Sequence, residues 1–409
     1  LEFNTDESMV TLKSFLGMIA AVPFIMACNQ TGQVNATLFP ASGSENVNPD
    51  THLVLTFSET PVLGDSGMIR VYDAVTDQVV DSLDLSIPSG PTESRTYGPE
   101  CDYTKVPYDY TRTVVPTNKD TRPGTPSGTA EPTPPVYQLT IIGGFTDAFH
   151  FYPVIVRDSI ATIYLHNNML EYGHTYYVTI DNGVLNLADG SFQGVTKEDE
   201  WTFTTKSDMP ELSDTLIVDA TGKGDFNTVQ GALDFIPDFN EQQTVILVNP
   251  GDYEELVYTR NKWNVKIKGA GMADTKVHYA NNEVFNPHPL TVKTNEWPGT
   301  FPSRRAAFML DNCKDIVIED MTIATDLKGQ AEGLLINGER IALYRVHIIG
   351  SGDALQANGT IYMESCELDG GGDTILGRGS LFAYKSNFRN GGGPFSWVRN
   401  TAGNHGNVF

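Results

Sequence analysis

Four segments of the C-terminal half can be written one under another: DIVIEDMTI at 315–323, RIALYRVHI at 340–348, TIYMESCEL at 360–368 and SLFAYKSNF at 380–388. Each carries an aliphatic residue at its second place and apolar residues near the fourth, seventh and ninth. The start-to-start steps are 25, 20 and 20 residues. A period of this size with short strands is the mark of a solenoid. The segments are rich in β-branched and aromatic residues and are followed by Gly, Asn and Asp turns, which argues against helical repeats. A right-handed parallel β-helix is therefore expected. WNVKIKGAG at 263–271 reads as an earlier, less regular turn, and NVF at 407–409 as the start of another. FNTVQGALDF, from Phe226 to Phe235, is the one clear amphipathic helical pattern. It places Phe226, Val229, Leu233 and Ile236 on one face, suited to capping the first coil.

In such a fold, residues one period apart lie almost on top of each other, about 4.8 Å away. RIALYRVHI ends in GSGDAL with Asp353, and TIYMESCEL ends in DGGGDTILG with Asp373. The two aspartates are one 20-residue step apart, at the same offset from their strands. Stacking predicts two neighbouring carboxylates on one face. Mutual repulsion should raise one pKa and leave the other low. One scaffold then holds both a nucleophile and a proton donor. The plainer alternative is that each aspartate serves its own turn.

Residues 35–207 have another rhythm, with short alternating runs such as HLVLTFSE (52–59), MIRVYDA (68–74) and TYYVTID (175–181). Turn clusters separate them, which suits an antiparallel sandwich. The pattern breaks from about 88 to 150, where prolines cluster between Pro107 and Pro135, and an irregular insertion is expected. Its tyrosines Tyr97, Tyr103, Tyr108 and Tyr110 either stack on sugar or pack the loop onto its own domain. Residues 206–213 read as a linker. The expected organisation is therefore 1–28 as upstream residues plus leader, 29–207 as the sandwich and 208–409 as the β-helix.

The leader runs from Met9, with one Lys and then an uncharged, mostly apolar run from Phe15 to Ala27, before Cys28. That run is too short to span a bilayer but suits a signal peptide. IMAC followed by Asn29-Gln30 resembles a bacterial lipoprotein signal, with Cys28 lipidated; a plain secretory signal or a short buried segment is the alternative. Export is expected, to the cell envelope as a lipoprotein, with membrane contact only through the anchor. Cys313 and Cys366 fall in patterned strands and read as small buried apolar residues. The formal net charge is −24. Such acidity excludes general nucleic-acid binding and attraction to anionic lipid surfaces.

Residues 216–388 resemble the pectin methylesterase family. The family's entry motif appears as LIVDATGKGDFNTVQGALDFIP (216–237), followed by TVILVNPGDYEE (244–255) and VKIKGAG (265–271). Its Gln-Ala-Val-Ala-Leu motif is matched by Gln330-Ala331-Glu332-Gly333-Leu334. Gly350-Ser351-Gly352-Asp353-Ala354-Leu355 stands for its Gly-Tyr-Gln-Asp-Thr-Leu, and Gly372-Asp373-Thr374-Ile375-Leu376-Gly377 for its Val-Asp-Phe-Ile-Phe-Gly. The N-terminal runs FPASGSENVNPDTHLVLTFSE, LEYGHTYYVTID and WTFTTK are similar to bacterial immunoglobulin-like modules. The resemblance implies hydrolysis of methyl esters on galacturonan (pectin), the expected partner, by a monomer. Asp373 would be the nucleophile of an acyl-enzyme, Asp353 the acid and then base, and Gln330 an oxyanion donor. It implies no metal or organic cofactor.

Two departures stand out. The family's second oxyanion Gln is Gly352 here, and Gln356 is a candidate replacement. The family's Leu-Gly-Arg-Pro-Trp motif, with its orienting Arg, does not occur before Phe409, which suggests a β-helix cut short. Arg378, Arg399 and Trp397 are candidates for substrate contact, the arginines through bidentate carboxylate recognition. The competing readings are a β-helix lyase or polygalacturonase, the latter faintly suggested by Asn404-His405-Gly406, and a non-catalytic carbohydrate-binding surface protein.

Overall fold

A computed structural model describes residues 34–90, 137–145, 148–286, 304–398, 400 and 406–409. Cys28, Arg399 and the tyrosines of the insertion, for which expectations are given above, lie outside these residues. The N-terminal part is a two-sheet sandwich. Thr37–Phe39, Leu53–Thr56, Ile160–Ile163 and Val154–Arg157 form one sheet. The other contains Ser44–Val47, Thr202–Thr205, Thr175–Ile180, Met68–Asp73 and Gln78–Asp84. The expected all-antiparallel pairing holds with one exception: Thr202–Thr205 runs parallel to Ser44–Val47. Alternating residues such as Leu53, Leu55, Ile69, Val71, Val178 and Ile180 fill the space between the sheets. Trp201 closes that core and donates its indole N–H to the Pro40 carbonyl at 2.8 Å.

From Thr215 onward the strands join one continuous parallel sheet that coils on itself, a parallel β-helix. The repeat register is the expected one. Val317 lies on Ala342, Ile341 on Ile361 and Thr360 on Ser380. Inward residues Ile318, Leu343, Met363 and Ala383 stack as one column of a core that runs the length of the coils. Each nine-residue segment proves to be more than one flat strand. Arg345, Ser365 and Lys385 have φ of 53°, 56° and 49°. In the last two segments these left-handed residues form a corner between paired strands, Thr360–Glu364 and Glu367–Gly370, then Ser380–Tyr384 and Asn387–Asn390. A coil must turn to close, and an alternating pattern does not reveal where. Outside, Arg340 grips Asp315 and Arg345 grips Asp320, each 25 residues back.

The helix is shorter than its pattern, Val229–Phe235. Seven residues cannot hold themselves in water, so tertiary caps complete it. Thr228 accepts from the Gly231 N–H at 2.9 Å. The buried Glu255 carboxylate accepts from the Val229 and Gln230 N–H groups at 2.8 and 2.9 Å. Val229, Leu233 and Ile236 enter the β-helix core, as does Phe226.

Sandwich and β-helix are joined by polar and apolar contacts. Asp50 accepts from the Asn227 and Thr228 N–H groups, and Arg157 pairs with Glu254. The expected irregular insertion is corrected at its far end. Residues 137–150, in their described part, are mostly buried and include the paired strands Leu139–Thr140 and Phe149–His150. Ile142, Phe145 and Phe149 share a core with Leu256, Tyr258, Phe285, Met309 and Leu335 of the β-helix. Proline-rich composition upstream carried no information about this apolar run.

Candidate active site

Three glycine-containing turns stack at one edge of the coils and carry the candidate residues. The Ser351 N–H donates to the Ala331 carbonyl at 3.0 Å, and the Gly372 N–H to the Gly352 carbonyl at 2.5 Å. Backbones approach closely here, so side chains are costly: a Cβ on Gly371 would lie 2.1 Å from the Ser351 carbonyl oxygen. The stack brings Gln330, Asp353 and Asp373 onto successive turns; spacing predicts this for the two aspartates, and Gln330 was a candidate through the resemblance alone.

Asp353 is buried and Asp373 half-buried. The Asp373 backbone N–H donates to the Asp353 carboxylate. Burial pushes the Asp353 carboxyl up to about 7, helped by the negative charges of Glu332 and Asp373 and opposed by Arg305. The pair is thus split as one proton holder and one more exposed carboxylate.

Sequence reasoning missed Arg305 and Glu332. Arg305 donates to the Asp353 carboxylate at 2.9 Å and through Nε to both oxygens of Glu332 at 2.8 and 2.9 Å. Its Nη1 donates to Oε1 of Gln330. Glu332 is fully buried, and Glu283 lies 3.5 Å from the guanidinium on its other side. A signal for Glu332 was present: it stands where the resembled motif has Val, and a carboxylate at an apolar position demands a cation. Arg305 itself lies 48 residues before Asp353, with nothing periodic to mark it.

The remaining candidates divide. Gln356 is buried and lies in register between Leu335 and Leu376. Its Oε1 accepts no hydrogen bond, and the network around Arg305 does not include it. Trp397 pairs with Leu376 and is 53% exposed. Arg378 uses its backbone N–H to bond Asn358 Oδ1 at 3.1 Å. Gly352 is required by this backbone: a Cβ there would meet the Gly329 carbonyl oxygen at 2.7 Å and the Gln330 Cα at 3.2 Å. Gly352→Gln, which restores the residue of the resembled motif, is therefore expected to lower stability by about 1–3 kcal/mol and not to raise activity. Chemical denaturation and an ester-hydrolysis assay check it.

Among the described residues, Glu254, His278 and Asp326 could approach a metal ion. Arg157 pairs with two of the three, so the group serves as an ion-pair clamp between sandwich and β-helix.

Residues 215–390 match the sequence profile of the family described as Pectinesterase. Pectinesterase QRT1 of Arabidopsis thaliana is 31% identical over 170 residues, 40% of this chain and 43% of that protein. Pectinesterase 31 of the same plant is 29% identical over 165 residues, 39% of this chain and 51% of that protein. The chain therefore spans about half the length of these curated relatives. Among solved structures, the pectin methylesterase from carrot aligns with a TM-score of 0.38 at 20% identity, covering 45% of this chain and 55% of that one. That from Aspergillus niger aligns at 0.39 and 19%, covering 48% and 64%. By sequence, then, it is residues 215–390 of this chain that are similar to the Pectinesterase family.

Proposed function

We propose that this protein hydrolyses methyl esters of galacturonan through an aspartyl acyl-enzyme. The observation that carries the reading is the stacked pair, a buried proton-holding Asp353 beside a more exposed Asp373. Asp373 attacks the ester carbonyl and the Asp353 proton leaves with the methoxide as methanol. Asp353 then accepts a proton from the water that cleaves the acyl-enzyme. The Gln330 amide donates to the oxyanion. Trp397, exposed one coil further on, offers a ring face to the sugar chain. No metal or organic cofactor takes part in this scheme. The net charge of −24 suits a substrate neutralised by esterification and favours release of the anionic product.

The sandwich serves as an immunoglobulin-like module, and the protein is exported as a monomeric lipoprotein held to the cell envelope by Cys28. Metabolic labelling with a palmitate analogue, lost in Cys28→Ser, tests the anchor.

The test of function is methanol release from methyl-esterified galacturonan by the whole chain, without shortening of the polymer. Shortened or unsaturated products would replace the reading with a hydrolase or lyase. Binding without methanol would replace it with a carbohydrate-binding protein. The pH dependence has a definite sign. The acid must be protonated, and burial pushes Asp353 up to about 7. The acylation rate is therefore expected to fall as pH rises through about 7, as a kcat profile will show.

A further inference from the structure

We propose that Arg305 is the positioning residue of this site, its guanidinium holding the acid Asp353 and the oxyanion donor Gln330 in one frame anchored on Glu332. The inference rests on the esterase reading for its kinetic test, but its geometry stands alone. One planar group reaches three side chains on two adjacent turns: Gln330 Oε1 and both oxygens of Glu332 on one, and Asp353 Oδ2 on the next. The Arg305 and Glu332 side chains are 9% and 0% exposed, so the frame is not a surface ion pair. A planar fork with fixed donors is suited to such a task, and a lysine ammonium is not.

Two consequences follow from the chemistry. Gln330 presents either an oxygen or an NH₂ group at each end of its amide. With Oε1 bonded to Arg305, the NH₂ end is directed elsewhere, in the orientation a developing oxyanion requires. Glu332 also neutralises the arginine. An isolated Arg⁺ would hold Asp353 ionised and useless as an acid, whereas an Arg–Glu pair orients it at little electrostatic cost. The charged groups facing Asp353 are Arg305, Glu332 and Asp373, with Glu283 beyond the guanidinium.

The frame extends to the sandwich side. The neighbouring Arg304 guanidinium lies 4.5 Å from the Phe145 ring centroid and 4.6 Å from that of Phe149. The strand that begins at Phe308 is thus approached through two arginines, one clamped by aromatic rings and one by the site.

The test uses the whole chain and four variants. Arg305→Lys keeps the charge but cannot span three partners, so kcat should fall about 100-fold, with KM changed little. Arg305→Gln should fall at least as far and move the basic limb of the kcat profile to higher pH, because Glu332 is left uncompensated. Glu332→Gln should move that limb to lower pH. The double variant Arg305→Gln/Glu332→Gln carries no uncompensated charge and guards against misfolding; it should return the limb toward its original place without restoring kcat. Full activity in Arg305→Lys or in the double variant would overturn the proposal, since a mere counter-ion would behave so. If the wild type releases no methanol, the esterase reading fails by itself. The frame is then judged by ¹³C titration of the Asp353 carboxyl, whose midpoint should rise in Arg305→Gln and fall in Glu332→Gln. Midpoints unmoved in both would overturn it.

Discussion

Replacing Asp373 by alanine is expected to reduce methanol release by at least about 10⁴-fold, the scale on which nucleophile deletions fall, while the protein stays folded. The carboxylate forms the covalent intermediate in the proposed mechanism, and no nearby group can take its place. Asp353 is buried, with its carboxyl pushed up to about 7, and Gln330 is held by Arg305. Folding should be little affected, because Asp373 is half-buried at a turn and its charge opposes ionisation of Asp353. Removing an anion beside Asp353 lowers that residue's pKa, so its ¹³C titration should shift to lower pH in the variant. Methanol release at the wild-type rate by Asp373→Ala would end the acyl-enzyme mechanism.

Arg260→Ala is expected to lose stability on the scale of about 3–5 kcal/mol, the cost of stranding a buried charge. Arg260 and Asp311 are 4% and 0% exposed and pair at 2.5 Å. Asp311 also starts a buried polar ladder. Asn337 donates to its carboxylate at 3.2 Å, Asn358 donates to Asn337 at 2.8 Å, and the Arg378 N–H donates to Asn358. Burial already raises the Asp311 carboxyl, with Arg260 opposing. Without Arg260 it rises further. The cost of keeping it ionised is absent below the carboxyl's unfolded pKa and grows as pH rises above it. The variant should therefore lose more ground to wild type at pH 8 than at pH 5 in urea unfolding. Asp311→Asn added to Arg260→Ala should recover most of the loss. Arg260 also lies 4.5 Å from the Phe145 ring centroid, so part of the deficit should appear as looser docking of residues 139–150. Equal unfolding midpoints for variant and wild type would remove the buried-pair account.

The β-helix was legible because its partners in space are its partners in period. Val317, Ala342 and Tyr362 share one column, and steps of 25 and 20 residues are all that is needed to find it. The Asp353–Asp373 pair followed from the same arithmetic, and burial of Cys313 and Cys366 from strand patterning. Corners at Ser365 and Lys385 were not legible, since a left-handed turn inside an alternating run leaves the alternation unbroken. Nor was the exposure of Trp397, because alternation says which residues share a side and not what covers that side.

What the chain by itself determined is the coil, its register and the stacking of two carboxylates. Each depends on contacts one period apart, and a period is written in the sequence. What only the tertiary structure decided is the company those carboxylates keep. Arg305 reaches Asp353 across 48 residues, Glu332 balances it from between them, and Phe145 and Phe149 come from the other module to pack on Arg304. Such contacts depend on side-chain reach and on the docking of two modules, and neither leaves a periodic trace.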